Sequence, residues 1–263
     1  MTAVSKEQKF GGFLEDLYTQ YNRREYISPD PLEWVYHYEA DANREIAGLV
    51  AASLAYGRVE SILASIERVM TPMGESPSAF LRAVGRGELE TLYSSFKHRW
   101  TTGDELVSFL VGIGRVIEAY GSLERCFVEH HDAEVETTQE ALAGFVGALG
   151  PCSSLLSDPT KSSACKRLHL FLRWMVRRDD VDPGCWRSLS PAQLIIPLDT
   201  HMFTVAKGFG FTARKQPNLQ AALDITQAFR ALRPDDPLRY DFVLTRFGIR
   251  RELDMGELLK LRL

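Results

Sequence analysis

The sequence has no run of about eighteen apolar residues, and the stretch Met1 to Tyr18 holds no apolar core of signal-peptide length. Neither a membrane-spanning helix nor a secretory leader is expected, and the reading is a cytoplasmic protein with no membrane partner. Cysteine is scarce: Cys126, Cys152, Cys165 and Cys185 fit no C-x-x-C zinc pattern and no closely spaced iron–sulfur run, so they are expected to be reduced and mostly buried thiols. Positive charge is not in excess, since the formal net charge is −4. The overall field therefore offers nucleic acid no attraction, and any such binding must come from a local basic surface. Strand signals are nearly absent. Metal-ligating clusters are absent too, because the rings of His130 and His131, followed by Asp132, diverge on a helix; no metal and no cofactor is expected.

What the chain does have is length and helical periodicity. Its 263 residues, 45% hydrophobic and 25% charged, suit one large unit or two intimate lobes, and a monomer is expected. Phe10, Phe13, Leu14, Leu17 and Tyr18 form one stripe at helical spacing, and Leu106, Phe109, Leu110, Ile113, Val116 and Ile117 form another, so the class is all-α. Two helices are expected to meet at Ala55-Tyr56-Gly57-Arg58, with Gly57 as the break. Ser76 is a candidate cap before Phe80 and Leu81. Gly150-Pro151 ends a helix that starts near Glu140, and a polar turn at Ser157–Ser163 leads to a helix over 165–178. Further helices are expected over about 200–208, 219–232, 237–247 and 255–261.

Residues 161–178 carry Lys161, Lys166, Arg167, Arg173, Arg177 and Arg178 with no acidic residue among them. On a helix, Lys166, Leu170, Arg173 and Arg177 share a face, while Leu168, Phe171, Leu172 and Met175 can turn to the core. That face is either a solvated cationic surface or a phosphate-contacting one. Asp199, thirty-three positions after Lys166, stands between the apolar run Ile195-Ile196-Pro197-Leu198 and a new helix starting Thr200-His201-Met202-Phe203. Aspartate is among the best N-caps, which is the simplest account of it. The other is chemical. A lysine held in a cleft can attack an electrophilic carbon through its amine, and a nearby carboxylate can stabilise a cationic transition state or move a proton.

At Leu198-Asp199-Thr200-His201-Met202-Phe203, continued by Ala206-Lys207-Gly208-Phe209-Gly210, the chain resembles the helix-hairpin-helix DNA glycosylase superfamily, whose active-site carboxylate lies in V-D-T-H-hydrophobic-x-R. In that superfamily the aspartate both caps a helix and faces the cleft. Bifunctional members place a catalytic lysine early in the helix after the hairpin, as Lys166 follows Ser157–Ser163. The long interval from Lys166 to Asp199 is similar to that of the archaeal 8-oxoguanine glycosylase branch. The hairpin departs from the usual L-P-G-V-G, reading Asp158-Pro159-Thr160-Lys161-Ser162-Ser163, where Lys161 and the serines would replace a grip by glycine-rich backbone amides. With Pro234–Phe242, the pattern also looks like a bacterial family of uncharacterised function related to these enzymes.

The resemblance covers nearly the whole chain. It implies two helical lobes around a cleft, 46–178 bearing a degenerate hairpin and 1–45 plus 179–263, and double-stranded DNA with a damaged base as partner. Lys166 and Asp199 would be catalytic. Tyr56 or Arg58 would be the wedge entering the gap left by an extruded nucleotide, or else a half-buried aromatic and a surface arginine at a helix junction. Lys161, Arg167 and Arg173 would hold the backbone, and His169, Leu170 and Asp241 would border the base pocket. His169 and Asp241 also have plain structural readings. No cysteine follows Cys185, so the iron–sulfur cluster of some members is not expected. The implied activity is excision of a damaged base, an oxidised purine favoured, with lyase activity open. Its rivals are a helical nucleic-acid-binding protein that has lost catalysis and a small-molecule enzyme using the same Lys/Asp pair.

Overall fold

The stripe beginning at Phe10 runs along a helix, α1 (Lys6–Tyr21), and buries Phe10, Leu14 and Leu17. The computed structural model describes residues 6–151, 154–250 and 252–259; the expectation for Cys152 and the last residues of the expected 255–261 helix lie outside them. A 3-10 segment, Pro31–His37, is set by a capping box in which Asp30 accepts from Leu32 N and Glu33 reaches back to Asp30 N. The helices α2 (Asp41–Leu54) and α3 (Val59–Met70) follow. The break between them falls at Gly57, whose φ of +108° is the left-handed conformation that favours glycine. Next come α4 (Pro77–Ala83), capped by the Ser76 hydroxyl accepting from Ala79 N, and α5 (Arg86–Leu92).

The fold is all-α but for a feature the sequence did not signal, an antiparallel hairpin of β1 (Lys97–His98) and β2 (Thr101–Thr102). Strands of two residues are too short for a period-two alternation. Thr102 then caps the long α6 (Gly103–Tyr120), which is followed by α7 (Leu123–Glu129) and α8 (Gln139–Leu149). After a connection over residues 150–165 come α9 (Lys166–Val176), α10 (Thr200–Phe209), α11 (Leu219–Leu232), α12 (Asp241–Ile249) and α13 (Met255–Leu259). No single helix among the described residues is long and apolar enough to cross a membrane.

The core is one continuous apolar cluster. Helix α9 lies inside it, packed across α2, with Phe171, Leu172, Trp174 and Met175 buried. Phe171 meets the Trp186 ring edge-on at 5.2 Å and stacks with Phe145 at 6.2 Å. Burying each such side chain stabilises the fold by roughly 1.5–3 kcal/mol. Helix α10 packs on α12, and α1 and α13 pack against that pair. Cys126, Cys165 and Cys185 are free and buried, and burial pushes the Cys126 thiol up to about 11 and the Cys185 thiol up to about 12. These are packing thiols rather than nucleophiles.

One buried acid ties the core helices together. Glu45 of α2 accepts from the backbone N–H groups of Leu123 and Glu124, at 2.9 and 3.1 Å, and from Trp186 Nε1 at 3.1 Å. It thus satisfies the first donors of α7 from another helix. Burial pushes its carboxyl from an ordinary 4.5 up to about 7. A folded-state value above the unfolded one contributes stability that is complete below about 4.5 and is lost as pH rises through about 7. Relative to Glu45→Gln, which cannot titrate, the wild type is expected to lose roughly 3 kcal/mol across that window. Thermal melts of both proteins from pH 4.5 to 8 measure it, and parallel curves would refute it.

Candidate functional site

Lys166 is the first residue of α9. A cation there opposes the helix dipole and caps nothing, so helix formation gives no reason for it. The preceding residue, Cys165, is held at φ +44° and ψ +39°, a left-handed conformation costly for a side chain other than glycine. Its carbonyl nevertheless starts the helix, accepting from Leu168 N and His169 N at 2.9 and 3.1 Å. Asp199 is the N-cap of α10: in extended backbone, its Oδ1 accepts from Met202 N at 2.9 Å. Its second oxygen makes no hydrogen bond among the described residues. Nor does Lys166 make an ion pair there.

Both groups line one cavity of about 690 Å³. Helix α9 presents Lys166, Leu170 and Arg173 to it, at i, i+4 and i+7. The start of α10 presents Asp199, Thr200 and His201; α12 presents Asp241, Thr245 and Arg246; and the turn after α2 presents Tyr56. The His201 ring fills the space a Cβ would take at Gly248 of α12, 2.2 Å from that position, so glycine lets α10 and α12 close this wall. Asp30 closes another, using Oδ1 for its own capping bond and Oδ2 for Arg246 Nη2 at 2.9 Å.

Asp241 is 2% exposed and accepts from Arg173 Nη1 at 2.5 Å. Burial pushes its carboxyl up, the Arg173 guanidinium draws it down, and the charge of Asp199 adds to the rise; the net direction is up. Its Oδ1 has no partner among the described residues. Asp241, Asp199 and the Lys166 amine line one cavity, an arrangement that can exchange protons with whatever occupies it.

Several expectations need correction. Arg173, expected on a DNA-facing surface, is 4% exposed and held by Asp182 and Asp241. Arg177, on the same face, is also buried, bound by Asp179, Asp182 and Asp236. The face read as solvated or phosphate-binding therefore points inward, because carboxylates from the following loop and from α12 neutralise it. Arg167, expected on phosphate, donates to the carbonyls of Ser53 and Ser154 and lies over the Tyr56 ring at 4.9 Å; it buttresses the wall. Tyr56 is no free wedge, since its hydroxyl donates to His98 O at 3.0 Å and pairs with Thr101 Oγ1 at 2.5 Å. His169 does not reach the cavity: it is 1% exposed, burial pushes its imidazole down to about 4, and neither ring nitrogen has a partner among the described residues. Lys161 is exposed beside a different cavity and pairs with Asp158 at 3.5 Å. The turn amide of Thr160 is taken by Asp158 Oδ1. Arg58 remains exposed at the start of α3.

Asp30, His201, Thr245 and Arg246 were missed. Asp30-Pro31 with Glu33 is legible as a capping box, but nothing local to it points to Arg246. Among the described residues no group of three side chains suited to a metal occurs.

The cap and the charge of Asp199 separate by substitution. Asn caps as well as Asp, so Asp199→Asn is expected to melt within roughly 0.5 kcal/mol of wild type, while Asp199→Ala costs about 1 kcal/mol. If Asn melted like Ala, the charge would be structural.

The family model described as "Protein of unknown function (DUF2400)" matches residues 30–250, a span that contains every cavity residue named above. No curated protein and no solved structure matches the chain.

Proposed function

Since the chain belongs to the DUF2400 family, whose description supplies no activity, we propose its function from its own cavity and from the resemblance of the Asp199 motif: a DNA glycosylase of helix-hairpin-helix type, acting on a damaged base extruded into the cavity. One observation carries this reading. Lys166 and Asp199, far apart in sequence, start two helices whose N-termini border the same space.

In this reading the Lys166 amine forms a bond to C1′ of the damaged nucleotide as the glycosidic bond breaks. The base leaves with the bonding electrons, the amine loses a proton to the free oxygen of Asp199, and Asp199 passes that proton to the departing base. Asp199 also stabilises the positive charge that builds on the sugar. Opening of the sugar then gives a Schiff base, the species from which strand cleavage proceeds. A volume near 690 Å³ accommodates one flipped nucleotide. Tyr56 and Leu170 supply apolar surface to it, and Asp241 and Arg246 supply polar edges. An oxidised purine is the favoured base, on the likeness in Lys-to-Asp interval alone.

The test is borohydride trapping on duplexes that each carry a single damaged base or an abasic site. A reduced covalent adduct on at least one lesion supports the reading, and none on any lesion sinks it. Asp199→Asn is expected to lower base release roughly 10²–10⁴-fold with its cap intact. The cavity volume also suits a small-molecule enzyme using the same pair; salt-dependent duplex binding by the wild type argues against that alternative.

A further inference from the structure

Trp100 is 60% exposed, the most open large apolar side chain among the described residues. It sits at the tip of the β1–β2 hairpin, which has no part in the chemistry above. Although solvated, this tryptophan is packed against partners in the fold. Its ring stacks on Tyr56 at 5.0 Å with the planes 18° apart, and the Arg99 guanidinium lies 4.8 Å from its centroid. Tyr56 is itself pinned by Thr101 and His98, and Arg167 lies against its ring. His98 completes the support, its ring nitrogens bonding Ser65 Oγ at 2.8 Å and Tyr56 O at 3.0 Å.

The hairpin is also tied to the cavity rim. Arg99, at φ +54°, packs its Cδ 3.1 Å from where a Cβ would stand at Gly57, so the αL backbone at both residues seats the tip on the turn that lines the cavity. Arg99 lies over Trp100, and two further exposed cations are close in the chain, Lys97 in β1 and Arg58 in the turn after Tyr56; none of the three makes an ion pair among the described residues. Two acids share these elements: Glu60 in the first turn of α3, and Glu105, which closes the cap of α6 at Thr102 N and whose charge reaches Tyr56; Asp104 and Glu105 also line the separate cavity that holds Lys161. In a chain of net charge −4 the hairpin and the turn beneath it thus carry three exposed cations against these two acids, Glu60 and Glu105, beside a held aromatic ring.

A protein partner would favour a contiguous apolar patch. A single rigid indole set among unpaired cations fits instead a base on a flexible, charged backbone, because every base has a π-face and the phosphates on either side need neutralising. We propose that the hairpin tip is a platform for single-stranded DNA: an unpaired base takes the place of the Arg99 guanidinium over the Trp100 ring, and Arg99 swings out to join Arg58 and Lys97 on the flanking phosphates. The platform stands on observations separate from the Lys166 chemistry and goes beyond it.

Titration of the full-length protein with a thymidine homo-oligonucleotide tests the proposal. Wild type is expected to bind with quenching of its tryptophan fluorescence. Trp100→Ala weakens binding roughly ten- to a hundredfold, and Trp100→Phe keeps most of the affinity but loses the quenching. Arg99→Ala flattens the dependence of log affinity on log salt by about 0.7. Trp100→Phe keeps an aromatic ring on Tyr56 and is expected to melt like wild type, while Trp100→Ala loses the stack and melts slightly lower in a single cooperative transition, which serves as the folding control. No binding by wild type, equal binding by Trp100→Ala, or quenching that persists in Trp100→Phe each overturns the platform. Adduct trapping on lesion duplexes is read independently, so either idea can fail while the other stands.

Discussion

Replacing Lys166 with glutamine is expected to eliminate the borohydride-trapped adduct on every lesion and to lower base release roughly a thousandfold or more, equivalent to about 4 kcal/mol of barrier. Glutamine nearly matches lysine in length and helix propensity but has no nucleophilic nitrogen. It also removes a positive charge from the N-terminus of α9, where the helix dipole disfavours one. The folded protein should therefore be unchanged in stability or gain about 0.3–1 kcal/mol. A fall in activity with a rise in melting temperature is the mark of a residue kept for chemistry, whereas a residue kept for packing shows both falling together. Denaturing gels of the reduced reaction and thermal melts of both proteins supply the two readouts. An adduct that survives the substitution would refute the lysine mechanism outright.

How far the sequence reached is clearest around these two residues. That Asp199 caps a helix was legible, because a cap is a local matter: extended backbone, a carboxylate, and an N–H three residues on. The break at Gly57 was legible for the same reason, since a left-handed turn needs a residue that tolerates it. Helix α9 was found in place, but its environment was misread. Periodicity registers the cations of residues 161–178 and has no means of registering the carboxylates that face them from residues 236 and 241. A partial signal was present, as Asp179, Asp180 and Asp182 follow the last arginine directly, and such a run after a basic helix implies a loop that folds back. The β1–β2 hairpin gave no signal, and with it Trp100 and its stack on Tyr56 went unseen. The shared cavity of Lys166 and Asp199 is a tertiary fact that no spacing of thirty-three residues encodes.

Asp182→Ala is expected to be the most destabilising single substitution in the ion network, costing about 3–5 kcal/mol. Asp182 is fully buried and bonds both arginines, Arg173 through Oδ1 at 3.1 Å and Arg177 through Oδ2. Burial pushes its carboxyl up, and the two guanidinium groups it bonds draw it back down. Taking it away leaves their charges in the core with Asp179, Asp236 and Asp241 as remaining partners. The loss is a large share of the roughly 5–15 kcal/mol that holds a typical domain folded, and it would lower the melting temperature by roughly 10 °C. It should also reach the cavity, because Arg173 is held between Asp182 and Asp241. The comparison is Asp158→Ala, which removes the same group from an exposed pair with Lys161 and from the Thr160 turn; in water such a pair is screened, and the variant is expected to melt close to wild type. If the two variants melted alike, the buried arginines would be accommodated by solvent, and α9 would have to be the surface helix that its charge pattern alone suggests.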